Sequence, residues 1–247
     1  MKMKTYIKKI EFISKNKIIK GVLHLPQTKN PPLVIGSHGL EGSKNSAKQI
    51  TLANLLPKSN IAFFRFDHTG CGESDGDFET HTSLNIRVND LINCIDHILS
   101  LNLTNNKIAL FGNSFGGTVC IQAWQKLILK KIKPQGIVLG AAPIKSSTIK
   151  KLCLKENKNN ILFSSVFFLQ NLYFDVTHKI SPLKNILIFH GDKDEIVSVK
   201  NAYDIYNNAQ KPKKIIIHKN EIHKMNSLKS QQQFNEQAVL WFKKCLF

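Results

Sequence analysis

Apolar and polar positions along the chain alternate in two different ways. Near the start, IKKIEFI (7–13) and IIKGVLHLP (18–26) mix apolar with polar positions and are separated by polar Lys and Asn, which predicts two strands joined by a turn. After the polar stretch QTKNPP comes PLVIGSHG (32–39), a short apolar run without alternation, as expected of a strand covered on both faces. From there the pattern switches between helical and strand periodicity. SAKQITLANLLPKS (46–59) predicts a helix, IAFFRFD (61–67) a strand, LNIRVNDLINCIDHILSLN (84–102) a helix and KIALFG (107–112) a strand. FGGTVCIQAWQKLILKK (115–131) then predicts a helix and GIVLGAA (136–142) a strand. Strands alternating with helices imply a parallel sheet with helices on its faces.

The alternation lapses over 143–185, a segment rich in Lys, Ser, Phe and Leu, and resumes with the strand ILIFHGD (186–192). A helix over 199–208, the strand KKIIIHK (213–219) and an amphipathic helix over 227–247 follow. An interruption this long exceeds an ordinary connection within such a sheet, and it is expected to be a small helical cap. No repeat, low-complexity block or Pro/Gly linker divides the rest. The expected organisation is one domain over 1–247 with 143–185 inserted as the cap.

Composition narrows the class. The chain has 247 residues, 42% of them hydrophobic, which excludes a disordered protein. MKMKTYIKKIEF has no apolar stretch behind its charges and does not read as a signal peptide, and the longest apolar run, 161–169, is too short to span a bilayer. A cytoplasmic protein is expected. Cys71, Cys94, Cys120, Cys153 and Cys245 form no CxxC pair, so free thiols are expected rather than disulfides or a zinc site.

The net charge of +18 suggests an anionic partner, but of the 35 basic residues only Arg65 and Arg87 are arginines, and the lysines are spread along the whole chain. Phosphate readers favour the bidentate arginine fork. A bias toward Lys, Asn and Ile accounts for the charge, and no specific nucleic-acid partner is expected.

In an open parallel sheet, function gathers at the carboxyl ends of the strands. Distinctive residues stand there: SHGLEG (37–42), RFDHTGCGESDG (65–76), GNSFGG (112–117), HGDKDEIV (190–197) and, after the last strand, NEIHKMN (220–226). GNSFGG fits a tight turn with Ser114 as a helix cap. It also fits GxSxG, the strained strand-to-helix turn that lifts a serine oxygen above a sheet. RFDHTGCGESDG invites comparison with a phosphate loop, but lacks both the Lys-Ser/Thr ending of a P-loop and the GxGxxG spacing.

Taken together, these strand ends resemble those of the α/β-hydrolase superfamily, in particular compact serine esterase and acyl hydrolase members with a short cap. The resemblance runs from about residue 10 onward. It implies an α/β-hydrolase fold: a mostly parallel central sheet flanked by helices, with antiparallel N-terminal strands and a small helical cap. It also implies a serine nucleophile at Ser114 and, in the order Ser, acid, His, a base at His223 and an acid at Asp194. His218 lies within the strand pattern and is read as structural. HGDKDEIV matches HGxxDxxV, which favours Asp194 over Asp192, and Asp192 and Glu195 are read as solvated loop charges.

The backbone NH groups of Leu40 and Phe115 are the implied oxyanion donors, with His38 shaping the first loop. Asp67, Gly70, Gly72 and Ser74 match the structural DxxGxGxS loop, and His68 is expected on the pocket rim. The implied activity is hydrolysis of acyl or aryl esters through an acyl-enzyme, without metal or organic cofactor. Thioesterase and peptidase chemistry share the machinery, and a non-catalytic, hydrolase-like small-molecule binder is the alternative from another class. A small-molecule acyl ester is the expected partner. The run ILFSSVFFLQNLYF (161–174) is a candidate lining for its acyl part.

Overall fold

A computed structural model of the chain describes residues 5–149 and 171–247. Strands β1 (Tyr6–Ser14) and β2 (Lys17–Leu25) pair antiparallel, with Lys15 and Asn16 at positive φ in the turn. The strands β3 (Leu33–Ser37), β4 (Ala62–Phe66), β5 (Ile108–Asn113), β6 (Ile137–Gly140), β7 (Ile186–Gly191) and β8 (Lys213–His218) run parallel to one another. Together with β1 and β2, of which β2 pairs antiparallel with β4, they form among the described residues one eight-stranded sheet in the order β1-β2-β4-β3-β5-β6-β7-β8. The lack of alternation in the central strands has the expected cause. Leu33 and Ile35 of β3 enter an apolar cluster on one face of the sheet, while Val34 enters a cluster on the other.

The described α-helices are α1 (Ala47–Leu55), α2 (Phe78–His81), α3 (Leu84–Ser100), α4 (Phe115–Leu129), α5 (Lys200–Asn208) and α6 (Leu228–Leu246). Val88, Leu91, Ile95 and Ile98 of α3 share the first cluster with Val119, Trp124 and Leu127 of α4 and with Ile205 of α5. Leu52 of α1 and Phe234, Ala238, Trp241 and Phe242 of α6 fill the second. The expected helix over 46–59 stops at Leu55, because Pro57 opens a separate 3-10 turn whose proline needs no N–H donor. Helix α2 departs from the sequence reading. It is a single turn held by Asp77, whose carboxylate accepts from the backbone amides of Glu79 and Thr80.

Much of the expected cap, 150–170, lies outside the described residues. Its two flanks are described, and they meet. The amide of Val176 donates to the carbonyl of Ile144 (2.8 Å) and the amide of Ser146 to that of Phe174 (2.9 Å). Among the described residues no helix is long and apolar enough to cross a membrane.

Candidate active site

The site assembles at the carboxyl ends of β3, β5, β7 and β8. At the end of β5 the chain reverses into α4 through Ser114, whose φ of 53° is one that L-residues rarely adopt. The reversal is possible because the positions two before and two after the serine, Gly112 and Gly116, carry no side chain. A Cβ on Gly116 would lie 2.2 Å from the carbonyl oxygen of Ser37, and one on Gly112 would lie 2.5 Å from that of Gly116. The turn is fastened by the Ser114 amide donating to the carbonyl of Gly140 (2.7 Å). Ser114 thus stands at the N-terminus of α4, where the helix dipole favours negative charge.

The loop after β8 brings His223 over this serine. Ser114 Oγ lies 3.0 Å from His223 Nε2, and His223 Nδ1 lies 2.8 Å from Asp194 Oδ2. Asp194 is buried in the loop after β7, and its other oxygen, Oδ1, accepts from the amides of Ile196 (2.9 Å) and Val197 (2.8 Å). A second imidazole reaches the same carboxylate. His190 Nε2 is 3.0 Å from Asp194 Oδ2 and 3.0 Å from the carbonyl of Val197. Burial alone would raise the Asp194 pKa. The hydrogen bonds from His190 and His223, the His223 charge and the Val197 amide outweigh burial and hold the carboxyl well below its usual range.

The structure therefore brings Ser114, His223 and Asp194 into one hydrogen-bonded line, while Asp192 and His218 stay out of it. Asp192 is exposed and accepts the amide of Asn220 (2.6 Å). His218 is buried at the end of β8 and stacks on Phe189 with centroids 5.8 Å apart. Glu195 is exposed, as expected of a loop charge, and its carboxylate also accepts the backbone amide of His223 (3.0 Å), which ties the histidine loop down. His190 was legible only as the first letter of HGxxDxxV, and nothing in that pattern tells that its ring turns back onto the acid.

The loop after β3 borders the nucleophile: a Cβ on Gly39 would sit 3.4 Å from the Cβ of Ser114. Leu40, next along, and Phe115 line the same cavity as Ser114 and His223. That cavity, about 440 Å³, is walled by Leu40, Phe115, Ile149, Leu172, Phe174 and Val197 among others. Leu172 and Phe174 come from the described end of the run expected to line an acyl pocket, and Tyr173 between them faces solvent. His68 is not on the rim. It is fully buried, with Nε2 2.8 Å from Ser37 Oγ and Nδ1 3.5 Å from Asp90 Oδ2. Asp67 holds the DxxGxGxS loop together, since its carboxylate accepts from the amides of Lys44 (2.6 Å) and Glu73 (2.9 Å) and pairs with the Lys44 ammonium. Among the described residues no group of three or more His, Cys, Asp or Glu side chains is arranged to hold a metal ion.

A parallel sheet with this strand order, carrying a serine on a strained turn between β5 and α4, defines the α/β-hydrolase fold. Residues 28–164 match the Hydrolase_4 family, serine aminopeptidase S33, and the chain belongs to that family. It is 25% identical over 186 residues to the uncharacterized protein YfhR of Escherichia coli K12, a match covering 74% of this chain and 60% of YfhR. It is 31% identical over 115 residues to protein phosphatase methylesterase 1 of Schizosaccharomyces pombe, covering 46% of this chain and 33% of that protein. The chain thus spans about 60% or less of the length of these relatives. In fold it is similar to Est1E of Butyrivibrio proteoclasticus, solved with ferulic acid bound, with a TM-score of 0.78 at 20% identity over 96% of this chain and 98% of Est1E.

Proposed function

We propose that the protein is a serine hydrolase of carboxylic esters, with 143–185 capping a single catalytic domain. The observation that carries this reading is the Ser114–His223–Asp194 line, 3.0 and 2.8 Å, whose serine and histidine line a largely apolar cavity. Ser114 Oγ attacks the ester carbonyl as its proton passes to His223 Nε2. Asp194, kept ionised by its surroundings, fixes the Nδ1–H tautomer and stabilises the imidazolium. The amides of Leu40 and Phe115 receive the developing oxyanion, and the α4 dipole adds to them. His223 returns the proton to the leaving alcohol, then draws one from water to release the acid from the acyl-enzyme. No cofactor takes part.

The cavity walls favour an apolar acyl or aryl group. An aminopeptidase must also hold a free α-amino group, and among the described lining residues Glu41 is the single carboxylate. The free thiols Cys71, Cys94, Cys120 and Cys245 fit a reducing cytoplasm.

The test is a fluorophosphonate probe read by intact mass, with a panel of p-nitrophenyl esters, acyl thioesters and aminoacyl amides. One probe adduct on the native chain and none on Ser114→Ala is expected, with hydrolysis in the variant lower by about 10⁴ to 10⁶. A folded Ser114→Ala that keeps its activity removes the assignment. Binding of esters without turnover or labelling establishes the non-catalytic alternative.

A further inference from the structure

Arg87 is the second of the chain's two arginines, and it is fully buried in the first turns of α3. The placement is unfavourable by general rules, since a cation costs free energy both when desolvated and when set near a helix N-terminus. Its hydrogen-bond partners are not carboxylates. Nη1 donates to the carbonyl of Gly39 (3.1 Å), and Nη2 donates to the carbonyl of Leu40 (2.6 Å) and the thiol of Cys71 (3.2 Å). The guanidinium carbon also lies 5.4 Å from the centroid of the Phe115 ring. One buried cation therefore touches both residues whose amides are the proposed oxyanion donors.

The peptide plane explains what such contacts do. In a trans peptide, C=O and N–H point in opposite directions, so whatever holds the Gly39 oxygen also aims the Leu40 N–H. Three donors hold that oxygen: Arg87 Nη1, His38 Nδ1 at 2.7 Å and the amide of Gly42 at 3.1 Å. His38 is fixed in turn, because its Nε2 accepts the amide of His68 (3.1 Å), which leaves the proton on Nδ1. A positive charge against the carbonyl end also polarises the peptide, making its N–H a stronger donor to an anion on the other side.

We propose that Arg87 is the positioning residue of the oxyanion hole, aiming and polarising the Gly39–Leu40 peptide from behind while bracing Phe115, with His38 as its partner on the Gly39 oxygen. This rests on the serine-hydrolase reading. Arg87 touches no substrate; it acts through the two amides, so its removal weakens transition-state binding and leaves ground-state binding in place.

The experiment compares the native chain with Arg87→Met and Arg87→Lys, each counted by active-site titration so that only folded, competent molecules enter the rate. Steady-state ester hydrolysis is measured beside the affinity for a trifluoromethyl ketone, whose adduct carries the oxyanion, and for the parent methyl ketone, which does not add to the serine. Losing one oxyanion donor lowers kcat by about 10² to 10³. For Arg87→Met we expect kcat to fall by about 10²-fold with KM little changed. Trifluoromethyl ketone affinity should fall in step, and methyl ketone affinity should hold.

Arg87→Lys keeps the charge but loses the fork. It should fall between the two, and it supplies the answer where Arg87→Met does not fold. Competent variants with native kcat and native trifluoromethyl ketone affinity overturn the proposal while leaving the hydrolase reading intact. Equal loss of affinity for both ketones makes Arg87 a merely structural residue and overturns it too. A native chain that neither labels nor turns over defeats both readings together.

Discussion

Exchanging Asp194 for asparagine keeps the shape of the side chain and replaces one carboxylate oxygen by an NH2 group. The half that accepts from the amides of Ile196 and Val197 can be kept by the amide oxygen. The other half then points two N–H bonds at His223 Nδ1 and His190 Nε2, where the native carboxylate accepts from both. Two charge-assisted bonds are lost, each worth about 1.5–3 kcal/mol. The neutral amide is cheaper to bury, which offsets part of the loss, so a net destabilisation of about 3 kcal/mol is expected. For a chain of this size that lowers Tm by roughly 6–12 °C.

The catalytic loss is larger. His223 turns to the tautomer that accepts at Nδ1 and carries its proton on Nε2, where it can no longer take the serine proton. A wrong tautomer costs about 10⁴ in kcat, which corresponds to ~5 kcal/mol of barrier. The assay is p-nitrophenyl ester hydrolysis below the variant's Tm, with Asp192→Asn as the control. Asp192 is exposed and serves one loop amide, so its change should stay within roughly twofold. Asp194→Asn retaining a tenth of native kcat, or Asp192→Asn proving the more damaging, refutes the assignment of the acid.

Gly116→Ala should fail to give a native elbow. Its Cβ meets two backbone oxygens, of Ser37 at 2.2 Å and His38 at 2.5 Å, which cannot swing aside, so a loss at or above the usual 1–3 kcal/mol of overpacking is expected; native Tm and labelling in this variant would contradict the close approach of α4 to β3. Acid should destabilise the fold in two stages. His24, lowered to about 4 by burial and by Arg65, and His38 and His68, lowered chiefly by burial, stay neutral when folded yet protonate when unfolded, so stability present above pH 6.5 falls as pH drops toward 4. Asp194 and Asp90 have folded pKa values below their unfolded ones, so their contribution survives to about pH 4 and is lost only below it. A Tm that is flat between pH 7 and 4.5 would contradict the burial of the three histidines.

The central strands were legible because burial on both faces leaves short, mainly apolar runs without alternation, as in LVIGS, AFFRF and ILIFHG. Ser114 and Asp194 were singled out by the fixed spacings of GxSxG and HGxxDxxV, and His223 by its place in the loop after the last strand; the structure brings the three side chains together. What escaped depends on contacts between distant segments. In the sequence Arg87 is a charge in NIRVND on a helix. Its meaning comes from the Gly39 and Leu40 carbonyls, 48 and 47 residues away. His68 read as a rim residue because the loop it belongs to resembles one that borders the pocket, but Asp90 and Ser37 give it partners inside. Helix α2 is too short for periodicity to register.

Ser114 and His223 are 109 residues apart, and the histidine is carried by the loop that follows β8, an edge strand of the sheet. Contacts of such long range form late, because closing the intervening chain must precede any reward from the contact. A ribosome-bound chain that has completed β5 and its elbow therefore holds a serine without the histidine proposed as its base. Under the proposed mechanism, competence to turn over an ester arrives only when β8 has docked on β7. Turnover is thus a reporter of finished assembly, and a chain whose last strand has peeled away falls silent while most of its sheet is still in place.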